Sequence, residues 1–213
     1  MTIHAYQETY LSKAQAALGD ALDYAINTCG ISGEDFIRLF GASSISKRLE
    51  NGEPAILAGK SGIEIAADVI FETTGKQPEA APEERFGRSC EYWIGWAVCY
   101  YQWFSARSFA DIFEALTYED LKGMYHTLHE ADITKFAGIV DERMREHFKD
   151  TNLKRIRTAY GCTQAELAKR SGVSLRSIQM YEQRNKDINR ASVESLWRIS
   201  KVLGCTIEDL LEK

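Results

Sequence analysis

Apolar positions recur along most of this chain at the spacing of a helix face. Leu11, Ala14, Leu18, Leu22 and Ile26 fall three or four residues apart, and Gly30 follows them, which predicts one amphipathic helix from residue 4 to about 28. Ser32 is placed to cap GEDFIRLF, which Gly41 stops. Ser43 or Ser44 opens a further helical turn that ends at the turn dipeptide Asn51-Gly52. Residues 54–59 read as extended or irregular. Ser61 caps a helix through Ile63, Ile65, Ala66, Val69, Ile70 and Phe71, closed by Gly75. Ser108 with Asp111, and Thr117 with Asp120, mark two more starts. Ile133, Phe136, Ile139, Val140, Met144 and Phe148 stripe a longer helix over about 129–148, which leads into a segment that Asp150 or Asn152 would cap. No stretch alternates with period two, so the expected fold is all-α, with ten or eleven helices.

The most apolar run is YWIGWAVCYYQWF at 92–104. It falls well short of the roughly 20 residues that a membrane span needs, and Gln102 interrupts it. As a helix it puts Trp93, Trp96, Ala97, Tyr100 and Phe104 on one face, with Tyr101 and Trp103 off it. Two readings stand: a central buried helix, or a ring-rich surface that meets another subunit, a ligand or a partner protein. Before it, GKQPEAAPEERFG holds two of the three prolines and little apolar content, which suggests a linker over about 75–86. The expected organisation is a helical subdomain at 1–74, an aromatic-rich sensor, partner or dimerisation region at 87–149, and a third domain at 150–213.

That third domain contains the most specific pattern in the chain, TQAELAKRSGVSLRSIQMYEQ at 163–183. Thr163 and Glu166 have capping-box spacing. Gly172 offers the positive φ needed to stop a short helix and turn the chain. Ser174 is a good N-cap for a second helix carrying Ile178 and Tyr181. Ala168 stands where two crossing helices would touch. An Ala, a Gly four residues on and an Ile six beyond that, with both caps in place, describe a helix-turn-helix.

Through LKRIRTAYGCTQAELAKRSGVSLRSIQMYEQ and SVESLWRISKVLGCTIEDLLE, residues 153–212 resemble the DNA-binding domain of the Cro/C1 (XRE) family of regulators. The resemblance implies a five-helix, lambda-repressor-like domain with a core of Ile156, Tyr160, Leu167, Ala168, Val173, Ile178, Leu196, Ile199 and Leu203. Leu210 and Leu211 would close that core from a short helix capped by Thr206. It implies an ion pair between Arg157 and Glu182, and a helix from about 175 to 182 lying in the major groove. Leu175, Arg176, Gln179 and Met180 are then the expected base contacts, Arg matching guanine and Gln adenine with paired hydrogen bonds. Gln164, Ser177, Lys186, Asn189 and Arg190 are the expected phosphate contacts. The family usually has Asn-Gly after this helix; here Arg184-Asn185 stands instead. Such domains usually bind as dimers to inverted repeats one helical turn apart, about 34 Å. The phrases YWIGWAVCYYQWF, RSFADIFEAL and MYHTLHEADITKF in turn resemble the N-terminal regions of regulators from anaerobic gut bacteria, a likeness that brings no activity with it.

Charge agrees with this division. From Asp150 onward 12 Lys and Arg face 8 Asp and Glu, a net +4, whereas the preceding residues carry −9. An acidic body with a basic end suits a partner or sensor region joined to a reader of double-stranded DNA. Five cysteines, odd in number and without a C-x-x-C pair, fit a reducing cytosol, and no signal peptide is expected.

His126, His129 and Glu130 lack a third fixed metal ligand, and Gly59-Lys60-Ser61 lacks the first Gly of a phosphate loop, so no metal and no cofactor is expected. No catalytic set is visible at any spacing. The expectation is a cytoplasmic, non-enzymatic, dimeric repressor. The alternative is an antitoxin-type protein whose N-terminal region binds a partner, a toxin, while its C-terminal domain binds the operator. A small-molecule effector at the N-terminal region is also open.

Overall fold

The computed structural model describes residues 4–81, 87–148 and 150–212. The described residues form helices and turns, with no strand among them. The chain divides into two compact units, Met1–His147 and Phe148–Lys213.

The first unit contains α1 (Leu11–Asp23), α2 (Gly33–Ala42), α3 (Ser44–Glu50), α4 (Gly62–Thr74), α5 (Cys90–Ser105), α6 (Phe109–Ala115), α7 (Tyr118–Leu128) and α8 (Ile133–His147). Local chemistry sets most of their starts. Ser32, Ser43, Ser61, Ser89, Ser108 and Thr117 each accept a backbone N–H three residues on. Ser61 with Glu64 and Thr117 with Asp120 complete capping boxes. The first predicted helix is interrupted. A 3₁₀ turn (Glu8–Tyr10) precedes α1 and a π-helical turn (Tyr24–Thr28) follows it. Residues 54–57 form a helical turn rather than an extended segment, because Pro54 sits at its first position, where no N–H is needed.

Helices α1 and α5 build the centre of this unit. Ala14, Leu18, Ala21 and Leu22 of α1 are fully buried, as are Ile94, Ala97, Val98 and Tyr101 of α5. A methyl group on Gly95 would lie 2.4 Å from the Leu18 carbonyl oxygen, so the two backbones approach as closely as a glycine allows. This packing corrects the expected division between 1–74 and 87–149. The two parts share one core, because the small-residue face of α1 packs both against α4 at Gly62 and against the aromatic helix beyond the connecting stretch at Gly95. Of that stretch, residues 82–86 lie outside the described residues.

The ring positions of α5 also differ from the expected face. Tyr101 and Trp103, read as off-face, are buried, while Trp93, Trp96, Tyr100 and Phe104 are only half-buried. The helix is covered on most of its circumference, so the spacing of its rings does not select the core side. The polar ends of the buried rings are satisfied. Tyr101 Oη donates to Asp141 Oδ1 at 2.6 Å and Trp103 Nε1 to the Tyr6 carbonyl at 2.9 Å.

The second unit holds α9 (Asn152–Tyr160), α10 (Gln164–Ser171), α11 (Leu175–Glu182) and α12 (Val193–Leu203), with 3₁₀ turns at Ile188–Arg190 and Glu208–Leu210. Thr151, not Asp150 or Asn152, caps α9. Leu167, Ile178, Ile199 and Leu210 are fully enclosed, joined by Leu153, Cys162, Val173, Tyr181, Ile188, Leu196 and Leu203. Ile156, Ala168 and Leu211 pack at the core's edge. Tyr160 is a correction: it is 44% exposed, and its hydroxyl accepts from Arg170 Nη2 at 2.9 Å. Leu153 fills the core from α9 instead, nearer the start of the helix. The expected fifth helix is a single 3₁₀ turn whose N-cap position is Ile207, while the Thr206 hydroxyl, expected as the cap, accepts the Asp209 N–H at 3.2 Å. Leu211 has already left helical geometry, and its carbonyl accepts from Asn152 Nδ2 at 2.7 Å.

Candidate nucleic-acid interface

Three local devices set the angle between α10 and α11. The Thr163–Glu166 capping box starts α10. Gly172, at φ +70°, ends it in the left-handed conformation that glycine adopts at least cost. Ser174 then accepts the Ser177 N–H at 3.1 Å and starts α11. Behind the turn, Val173 and Ile178 are buried against Leu167, which holds the second helix across the first.

One side of α11 is thereby locked inward and the other left outward. Ile178, Tyr181 and Glu182 are buried. Leu175 and Arg176 at its N-terminal end are exposed, and Gln179 and Met180 are half-exposed. These four residues occupy one end and one flank of the helix, as a rod that presents its N-terminal turn to a groove requires.

Beneath this helix lies a polar clamp. Arg157 Nε and Nη2 donate to the two Glu182 carboxylate oxygens at 2.6 and 2.9 Å, and its Nη1 donates to the Cys162 carbonyl at 2.7 Å. Gln164 Nε2 adds a third donor to Glu182, at 2.7 Å. The Glu182 side chain is 2% exposed and that of Arg157 12%. Hydrogen bonding to Glu182 raises the Arg157 pKa above its ordinary value, outweighing the opposing effect of burial. The clamp ties α9 and the start of α10 to the end of α11.

Several of the five residues expected to hold phosphates have other partners in the free protein. The Gln164 side chain is engaged by Glu182, so its first-turn backbone N–H remains as the donor that α10 presents. The Ser177 hydroxyl accepts from that of Ser174. Lys186 is exposed, with its ammonium 5.3 Å from the Tyr181 ring centroid. Arg190 is exposed and pairs with Asp187 at 3.4 Å. Asn189 is engaged with the end of the chain. Its amide donates to the Glu212 carbonyl at 2.5 Å, and its oxygen accepts the Glu212 N–H at 2.9 Å.

These bonds belong to a clasp that spacing along the chain does not reveal. The Glu212 carboxylate accepts from the Asn152 N–H at 2.6 Å and from Arg184 Nη2 at 3.3 Å. Arg184 stands at φ +57° in the loop after α11, where the resembled family usually has Asn-Gly. A left-handed non-glycine residue costs roughly 1–2 kcal/mol. Its guanidinium offsets part of this by donating to the Phe148 carbonyl at 3.0 Å as well as to Glu212. Contacts made across 23 to 60 residues leave no mark on local pattern.

The other chemical signals lead elsewhere. Lys60 is paired with Asp68, and Ser61 caps α4. His129 Nδ1 meets the Tyr125 carbonyl oxygen at 2.9 Å. Among the described residues no group of His, Cys, Asp and Glu is placed to hold a metal, and no helix is long and apolar enough to cross a membrane. Residues 153–210 match the family model described as helix-turn-helix. No curated protein and no solved structure matches the chain.

Proposed function

We propose that this chain, whose C-terminal domain is a helix-turn-helix of the Cro/C1 (XRE) type and makes it a DNA-binding transcription regulator, works as a dimeric repressor of its own operon. The observation that carries this reading is the division of α11 between a buried back and an open N-terminal face. Leu175, Arg176, Gln179 and Met180 read base edges: Arg176 at guanine, Gln179 at adenine, Leu175 against a thymine methyl. Lys186, Arg190, Ser177 and the backbone N–H of Gln164 hold phosphates and set the register. Asn189 joins them only if its bonds to Glu212 open. A domain this small binds weakly alone, so two copies on an inverted repeat supply the affinity, with the first unit as the place that joins them.

Selecting sites from random DNA with the full chain tests the proposal. It predicts an inverted repeat with half-sites about one helical turn apart. Recovery of sequences without any shared half-site would sink it.

The half-buried rings Trp93, Trp96, Tyr100 and Phe104 favour a second reading, in which the first unit neutralises a partner protein while the second binds the operator. A neighbouring gene that is toxic when expressed alone and harmless beside this chain would support it.

A further inference from the structure

The first unit carries a groove of about 340 Å³ between the N-terminal half of α5 and the end of α7. Its walls are mostly rings, with one cation among them: Tyr92, Trp93, Trp96, Tyr125, His129 and Arg88. Trp93, Tyr125 and His129 are held by ring contacts. Trp93 meets Tyr125 edge-on at 5.6 Å and Phe136 at 5.5 Å, and Tyr125 lies 4.7 Å from His129. Walls fixed in this way lose little freedom when a ligand enters. The volume is near the lower end of small-molecule sites, too small for a peptide helix.

The polar groups point to one sign of charge. The Arg88 guanidinium lies 4.3 Å from the Tyr92 ring centroid, along the wall. Trp93 and Trp96 are each half-buried. Among the described residues no carboxylate lines the groove. Three described acids nearby are otherwise placed. Glu91 accepts from Asn27 Nδ2 at 2.9 Å and Tyr118 Oη at 2.8 Å. Glu130 sits 3.7 Å from His129 Nε2, with its side chain 88% exposed. Asp20 feels the charge of Arg88 but forms no ion pair with it. The site therefore offers flat apolar walls and a cation, with no anionic partner for a basic ligand among the described residues.

We propose that this groove is a binding site for a small planar aromatic anion. The ring lies against Trp93, Trp96 and Tyr125, and the carboxylate meets Arg88. Arginine suits this role because its planar group stays charged and can pair with a carboxylate through two parallel N–H bonds.

Calorimetric titration of the full chain with 2-naphthoate, and with 2-naphthylmethylamine as the cationic probe of the same ring, tests the proposal. The expected result is saturable 1:1 binding of the naphthoate, with the amine at least about tenfold weaker. Arg88→Gln, at an exposed position, should leave the circular dichroism spectrum unchanged, weaken the naphthoate about tenfold and bring the two probes together. Trp96→Phe should weaken both. Absence of saturation at millimolar naphthoate, equal binding of the two probes, or naphthoate binding that survives Arg88→Gln unchanged would each overturn the assignment. The titration contains no DNA, so its result is independent of the reading of the second unit.

Discussion

Replacing Glu182 with Ala would leave the Arg157 guanidinium in a side chain that is 12% exposed, with the Cys162 carbonyl at 2.7 Å as its remaining bond of the three. It would also strand the Gln164 amide. Removing one member of a buried, hydrogen-bonded pair costs roughly 3–5 kcal/mol, because the other charge stays in a poor solvent. The whole stability of a unit the length of Phe148–Lys213 is about 3–10 kcal/mol at ordinary values per residue. The loss is thus comparable with the total. The melting temperature should fall on the order of 12–40 °C, at about 4–8 °C per kcal/mol for a domain of this size.

The double variant Arg157→Met, Glu182→Leu removes both charges and keeps the volume, so it should return to within about 1 kcal/mol of the parent or exceed it. Circular dichroism melts and urea titrations of residues 148–213 measure both variants. If Glu182→Ala costs less than about 1 kcal/mol, water reaches the pair and screens it as on a surface, and the clamp argument fails.

Other consequences can be checked alongside. Arg176→Ala should relax base choice at one position in each half-site, costing roughly 1–3 kcal/mol of discrimination; unchanged preference across a library of sites removes Arg176 from the base contacts. Lys186→Ala should weaken all sequences about equally and lower the salt slope of binding by roughly one, read from affinities over a range of salt concentrations. Gly95→Ala puts a methyl group 2.4 Å from the Leu18 carbonyl oxygen and should destabilise the first unit by roughly 1–3 kcal/mol in urea titrations, since backbone must shift to admit it. Bonds from Thr163, backbone first and hydroxyl next, hold the Glu166 carboxyl below the ordinary range. Its contribution is therefore complete above the unfolded value, about 4.3, and is lost as pH falls through the lower folded one. Thr163→Ala should flatten that part of the acid dependence of the urea midpoint.

Much of this protein could be read from short-range pattern. The starts of α2, α4, α6, α7, α10 and α11 were legible because a Ser or Thr oxygen reaches a backbone N–H only three residues away, so a few letters contain the whole interaction. The turn at Gly172 was legible for the same reason: a positive φ is a property of one residue. What escaped were contacts between residues distant in the chain. The family resemblance places Tyr160 in the core, yet it turns to Arg170. Asn189 has the composition of a phosphate contact yet holds Glu212. Arg184 occupies a glycine's conformation because Phe148 and Glu212 hold its side chain. In α5 the rings follow a helical period that suits several faces, and the approach of α1 decided which of them went inside. Local hydrogen bonds and backbone preferences are encoded where they act, whereas the side a helix buries depends on which distant surface covers it, and that was settled only when the chain had packed.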